Sequence, residues 1–199
     1  MARRSQLPRM SPTQLDDFLV DHLAYEIRWL LRAASEWHAQ NYMKLNEPGY
    51  QVQVYAADST VLHARTLFEF FTKRTSFNYY GYNEYDIPLI SSNSYESSWS
   101  GPIHIFMMHA QTRFNPPQNP ITSFDGTCSK QLNEMPVDFA QEIVKMWREF
   151  IRHLRAHRDP HKQAMGVEAD EILIAAINEA KQVLNNRFTR DRGIPPLTW

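Results

Sequence analysis

Cysteine is nearly absent. Cys128 is the only one in 199 residues. It excludes an intramolecular disulfide, and with it a disulfide-framed secreted scaffold. Glycine is scarce too, with six in all. No Gly-rich phosphate loop, G-x-S-x-G or H-E-x-x-H phrase occurs. The Glu-x-x-His spacing of carboxylate-bridged di-iron bundles is missing. No apolar run approaches the roughly 18–20 residues of a membrane helix. No apolar stretch follows the basic start, so a secretory signal peptide is not expected. Neither sign of charge dominates: 21 Lys+Arg stand against 22 Asp+Glu, a net charge of -1. That balance argues against a bulk nucleic-acid binder and leaves a local basic patch open.

What is present describes a folded chain. Its 43% hydrophobic and 13% aromatic residues are too many for disorder. The length suits one domain of roughly 100–200 residues. Such a chain buries about 70% of its unfolded surface and needs no metal or disulfide staple. The expectation is a soluble, cytoplasmic, single-domain protein.

Residues 1–10 hold three Arg and no acid and read as a flexible basic tail, or as a nucleic-acid arm. The bundle domain spans 11–199. Ser11, Pro12 and Gln14 form a helix start with a capping box. Leu15, Leu19, Leu23, Ile27, Leu30, Ala34 and Trp37 recur at helical spacing, predicting a helix to about Tyr42. A second helix is predicted over about 51–73, on the stripe Val54, Ala57, Val61, Ala64, Phe68 and Phe71. Residues 74–101 read as a long loop holding five of the nine Tyr. So many rings imply that it packs on the bundle or at a subunit interface. A shorter helix is expected over 102–114, then a second loop to about Met135. Pro136 starts a strong helix that Pro160 ends. Gly166 is read as preceding a last helix over about 168–188. The fold class is therefore all-α: a single-domain antiparallel helical bundle of four to five helices with a long aromatic-rich loop.

Three phrases could carry chemistry. The first is Leu62-His63-Ala64-Arg65-Thr66-Leu67-Phe68-Glu69. In it His63 borders the apolar stripe, either as a hydrogen-bonded boundary residue or as a proton-transfer group. In the second, His109 and Arg113 stand four apart on one helical face. A neighbouring cation would keep His109 neutral and basic near pH 7. The third is the basic run from Arg148 to Lys162. His153 and His157 sit one turn apart there, too few to hold a metal alone. The run reads as a solvated polar face or as a set of phosphate contacts. No cofactor and no metal is named by any of them.

These phrases carry a resemblance. His63-Ala-Arg65-Thr-Leu-Phe-Glu-Phe-Phe71, followed by His109-Ala-Gln-Thr-Arg113, resembles uncharacterised bacterial helical proteins with HARxLxEFF and HxxxR phrases. The likeness covers residues 51–114 and runs loosely into the helix of Trp147. It implies an all-helical fold and assigns no activity. More loosely, the chain resembles HEPN bundles, several of which are ribonucleases of toxin or antiviral systems. Their signature is an Arg, four to six residues, then a His, and Arg148 with His153 is its best match. That resemblance implies a metal-independent site with His as base and Arg on the phosphate. The candidate site residues are thus His63, Arg65, His109, Arg113, Arg148 and His153. Two functions follow as expectations. One is a binding or regulatory bundle acting through contacts with a protein partner or with itself. The other is a HEPN-like ribonuclease or RNA-binding protein.

Overall fold

Ser11 starts the first helix as its sequence requires. Its hydroxyl accepts from the Gln14 amide, while the Gln14 side chain accepts from the Ser11 amide. In the computed structural model, residues 7–40, 50–92, 121–122, 129–130, 135–185 and 193–199 are described. The helices are α1 (Pro12–Asp17), α2 (Ala24–Gln40), α3 (Tyr50–Thr72), α4 (Pro136–Arg155) and α5 (Pro160–Leu184). A π-helical stretch, Phe18–Leu23, joins α1 to α2 without a break.

That wider turn has a sequence cause. Leu15, Leu19, Leu23, Ile27 and Leu31 are each four apart, and all are buried. In a straight α-helix each such step drifts about 40° off the core face. A stretch of i→i+5 turns takes up the drift and keeps the whole series inward. The helix expected over 12–42 is thus continuous from 12 to 40, with a wider turn in its first half, and residues 41–42 lie outside the described residues.

The start of the last helix is corrected. It begins at Pro160, capped by Asp159, whose side chain accepts from the His161 amide. Gly166 lies inside it, where helix α4 comes close. A Cβ there would stand 2.9 Å from the Arg155 amide nitrogen and 3.1 Å from the Leu154 Cβ. Gly166 thus serves close packing and does not break the helix.

The all-α bundle stands. Side-chain contacts fix the direction of its helices. Glu26 meets His63, and Trp37 packs with Ala56 and Ala57, so α2 and α3 form an antiparallel hairpin. The short link 156–159 turns α4 back into α5, and Arg155 reaches Asp170 at 2.6 Å. Between the hairpins the sense differs. Asp16 meets His161 and Arg28 meets Glu179, so the first helix runs alongside α5 in the same direction. Phe68 meets Phe139 and Phe71 meets Trp147, which gives α3 and α4 a common direction as well. Parallel neighbours need a long connection, and residues 73–135 supply it.

Part of that connection packs where the Tyr-rich loop was expected. Tyr82–Tyr85 form one 3-10 turn. Tyr85 is fully buried and donates to the Leu15 carbonyl at 3.0 Å. Burial foremost, with Asp16 and Glu84 adding to it, pushes its hydroxyl pKa far up. Ile87 and Ile90 follow it into the core. Leu7 to Met10, the end of the basic segment, are tied to the same loop. The Leu7 amide donates to the Ser76 carbonyl and the Met10 amide to Glu84. Residues 121–122 and 129–130 make a two-residue antiparallel pair within the expected second loop. The expected helix over 102–114 lies outside the described residues. Among the described residues no helix is long and apolar enough to cross a membrane.

Candidate interaction face and the buried His63–Glu26 pair

On α2, Tyr25, Trp29, Arg32 and Glu36 fall on one outward stripe, by their spacing of four, three and four. Tyr25 and Trp29 are 51% and 41% exposed, although both are large aromatics. Their rings lie 6.0 Å apart, and the Arg32 guanidinium sits 5.4 Å from the Trp29 ring centre. Burial raises the Glu36 carboxyl pKa, with Arg32 drawing it back. On α3, Val52, Tyr55 and Leu62 share the outward stripe and are 44%, 72% and 46% exposed.

His63 joins the two stripes from below. It is buried, and its Nδ1 donates to Glu26 at 2.7 Å. The Tyr25 ring meets it edge-on at 5.7 Å. This bond sets the orientation of the ring, with Nδ1 turned to Glu26. It also pins α2 to α3 directly beneath the exposed aromatics.

The expected site residues do not converge. Arg65, two residues beyond His63, turns to the other side of α3 and pairs with Glu69 at 3.4 Å. Arg148 and His153 are five residues apart on α4, which separates their directions by about 140°. Arg148 donates to the Trp199 carbonyl at 3.0 Å. His153 accepts from Arg152 at 3.2 Å. Its pKa is lowered, first by burial and then by Arg152, against a smaller pull from Glu149. His109 and Arg113 lie outside the described residues.

The basic run is largely neutralised. Arg152 pairs with Glu149, Arg155 with Asp170, His161 with Asp16 and Lys162 with Asp86. The His157 Nδ1 accepts from the Asp159 amide, so it faces its own turn. Among the described residues no group of three or more His, Cys, Asp or Glu could hold a metal ion.

One of these pairs is a staple between distant segments. The Lys162 side chain is only 7% exposed, and Asp86 bonds both it and Arg9. Asp86 adopts a left-handed backbone, with φ 53°. Burial alone would raise its carboxyl pKa, but Lys162 and Arg9 together hold it below the ordinary value. A depressed carboxyl stabilises the fold above its unfolded pKa of about 4 and loses that contribution as pH falls through the folded value. Asp86→Asn tests this, because Asn tolerates the same backbone. The variant should lose about 1–3 kcal/mol at pH 7, from leaving Lys162 without its carboxylate. Towards pH 3 the difference should shrink, because the parent's carboxyl is progressively neutralised as pH falls. Urea denaturation at the two pH values measures the difference, and an equal loss at both would exclude the ionic origin.

Sequence reading missed Glu26 and the Tyr25–Trp29 pair. The aromatic pair had a signal: two large rings four apart, off the buried stripe of the same helix. Glu26 had none, because it lies 37 residues from His63. No family model, no curated protein and no solved structure matches this chain.

Proposed function

We propose that this protein is an α-helical interaction module of the cytoplasm that acts through protein contacts, and that the α2–α3 face binds a second copy of the chain. The observation that carries the reading is the outward stripe Tyr25, Trp29, Val52, Tyr55 and Leu62. These five side chains expose about 500 Å2, taking roughly 150–250 Å2 for each large ring. They are spread along the hairpin, with Tyr25 and Leu62 near the level of the His63–Glu26 bond and Val52 and Tyr55 near that of Trp37 and Ala56. Trp, Tyr and Arg are the residues that dominate interface energies.

The order along α2 favours self-pairing. Reading outward from its middle, two rings lie on one side and Arg32 and Glu36 on the other. A copy turned by a half-rotation sets Arg32 against Trp29 and Glu36 against Tyr25, twice over. That is what an isologous contact requires. The lone Cys128 fits a reducing compartment.

Light scattering coupled to size exclusion, at about 10–100 µM, measures the assembly. The protein should elute as a dimer. Trp29→Glu should weaken it by at least about 30-fold, as loss of a hot spot does, with the helical circular dichroism unchanged. A monomer at the highest concentration, or a dimer indifferent to Trp29→Glu and Leu62→Glu alike, would overturn the reading.

A further inference from the structure

Residues 193–199 return to the bundle across the seam where α2 meets α4. Their attachment is almost wholly through the main chain. The His38 Nε2 donates to the Pro195 carbonyl at 3.0 Å. Gln141 donates to the Thr198 carbonyl at 3.0 Å, and Arg148 to the Trp199 carbonyl at 3.0 Å. An imidazole, an amide and a guanidinium from two helices thus all serve the carbonyls of one short segment. The segment around Pro195 and Pro196 is held extended by its prolines, which have no N–H to offer. Donors lining the seam are what such a segment lacks.

One side chain anchors it. Trp199 is partly buried against the main core. Its indole nitrogen is buried and meets no hydrogen-bond partner among the described residues. A buried donor left unpaired costs stability, so the seat is filled without being fully satisfied. Contacts to carbonyls do not depend on sequence, and proline-stiffened segments with an apolar anchor are a recurring ligand for such seats.

We infer that the α2–α4 seam is a peptide-binding site for an extended, proline-containing segment of another protein that ends on a bulky aromatic side chain. Residues 193–199 are its displaceable occupant in cis. His38, Gln141 and Arg148 recognise the main chain, and the seat of Trp199 takes the ring. This surface is separate from the α2–α3 face, so it stands or falls independently of the dimer.

The test uses the full chain and the synthetic peptide Gly-Ile-Pro-Pro-Leu-Thr-Trp. With excess unlabelled peptide, the Trp199 indole N–H resonance of the 15N-labelled unmodified protein should move to the position of a solvent-exposed indole. A peptide with Ala in place of its Trp should leave it unchanged. Fluorescently labelled peptide should bind a Trp199→Ala protein at least tenfold tighter than the parent, because the competing segment is weakened. Adding Arg148→Ala and Gln141→Ala should abolish that binding. Both side chains lie on the outer part of α4, so their removal leaves the fold of the Trp199→Ala protein as it is, which circular dichroism of the two proteins checks. An unmoved Trp199 indole resonance at saturating peptide would overturn the inference, leaving a fixed strap. So would binding indifferent to Arg148 and Gln141.

Discussion

Phe150→Ala should cost about 3–5 kcal/mol of folding free energy, the range of a fully buried ring truncated to Ala. Phe150 is 0% exposed. Its ring lies 5.2 Å from Tyr85, 5.8 Å from Phe70 and from Phe71, and 5.9 Å from Trp147, all edge-on. Those neighbours come from α3, α4 and the loop after α3, and only one of them shares a helix with Phe150. The surrounding rings are themselves pinned. Tyr85 donates to Leu15, and Trp147 donates to the Ala169 carbonyl at 2.9 Å. Rings held that firmly relax little into the space, which puts the cost at the upper end. Against a typical total of about 5–15 kcal/mol, the loss is a third or more of the stability. Chemical denaturation followed by near-ultraviolet circular dichroism reads both the midpoint and the ring packing. Leu89→Ala, at a position 51% exposed, should stay within about 0.5 kcal/mol. Comparable losses at the two positions would mean that the ring cluster is not the core of the fold.

The same residues show what could be read from sequence. Phe139, Ile143, Met146, Trp147, Phe150 and Leu154 repeat at helical spacing, and all are buried in α4. A long apolar face is a strong signal because it follows from geometry alone. The π turn is harder to foresee. A series spaced strictly by four is consistent with α-helix locally and departs from it only over several turns. Gly166 misled for the opposite reason. Glycine is scarce in helices because it is flexible, yet here its lack of a side chain is what α4 requires. The true start at Pro160 carries its own signal, an Asp before a Pro, but a proline after a long apolar stripe reads equally as a stop. The direction of the two hairpins depends on the 73–135 connection, whose path no periodicity encodes. Pairings such as His63 with Glu26 or Lys162 with Asp86 join residues far apart in sequence. They exist only once the helices are packed. For that reason the expected site residues were identified by type, while their partners were not.

Gly81→Ala should be the most damaging alanine substitution among the described glycines. A Cβ at Gly81 would lie 2.0 Å from the Lys73 carbonyl oxygen and 2.9 Å from the Lys73 and Arg74 carbonyl carbons. These are backbone atoms at the end of α3, so they cannot swing aside as a side chain would. The loop has to move instead, and it is bonded through this residue. The Gly81 amide donates to the Thr75 hydroxyl at 3.0 Å, and that hydroxyl donates to buried Glu84 at 2.6 Å. Glu84 in turn accepts from the Met10 amide. Overpacking of about 1–3 kcal/mol is therefore joined by buried groups left unpaired, at about 1–3 kcal/mol each. The expected loss is about 3 kcal/mol or more, with Tyr85 drawn from its seat. Far-ultraviolet circular dichroism should change little, because the helices persist, whereas the near-ultraviolet signal of the packed rings should fall. Gly193→Ala separates the steric cause from a conformational one. Gly193 has φ 62° but meets no atom within 4 Å of a built Cβ. Ala there should cost only the roughly 1–2 kcal/mol of a left-handed residue and leave the near-ultraviolet signal intact. If Gly81→Ala were the milder of the two, the loop could not be locked against α3 as its contacts require.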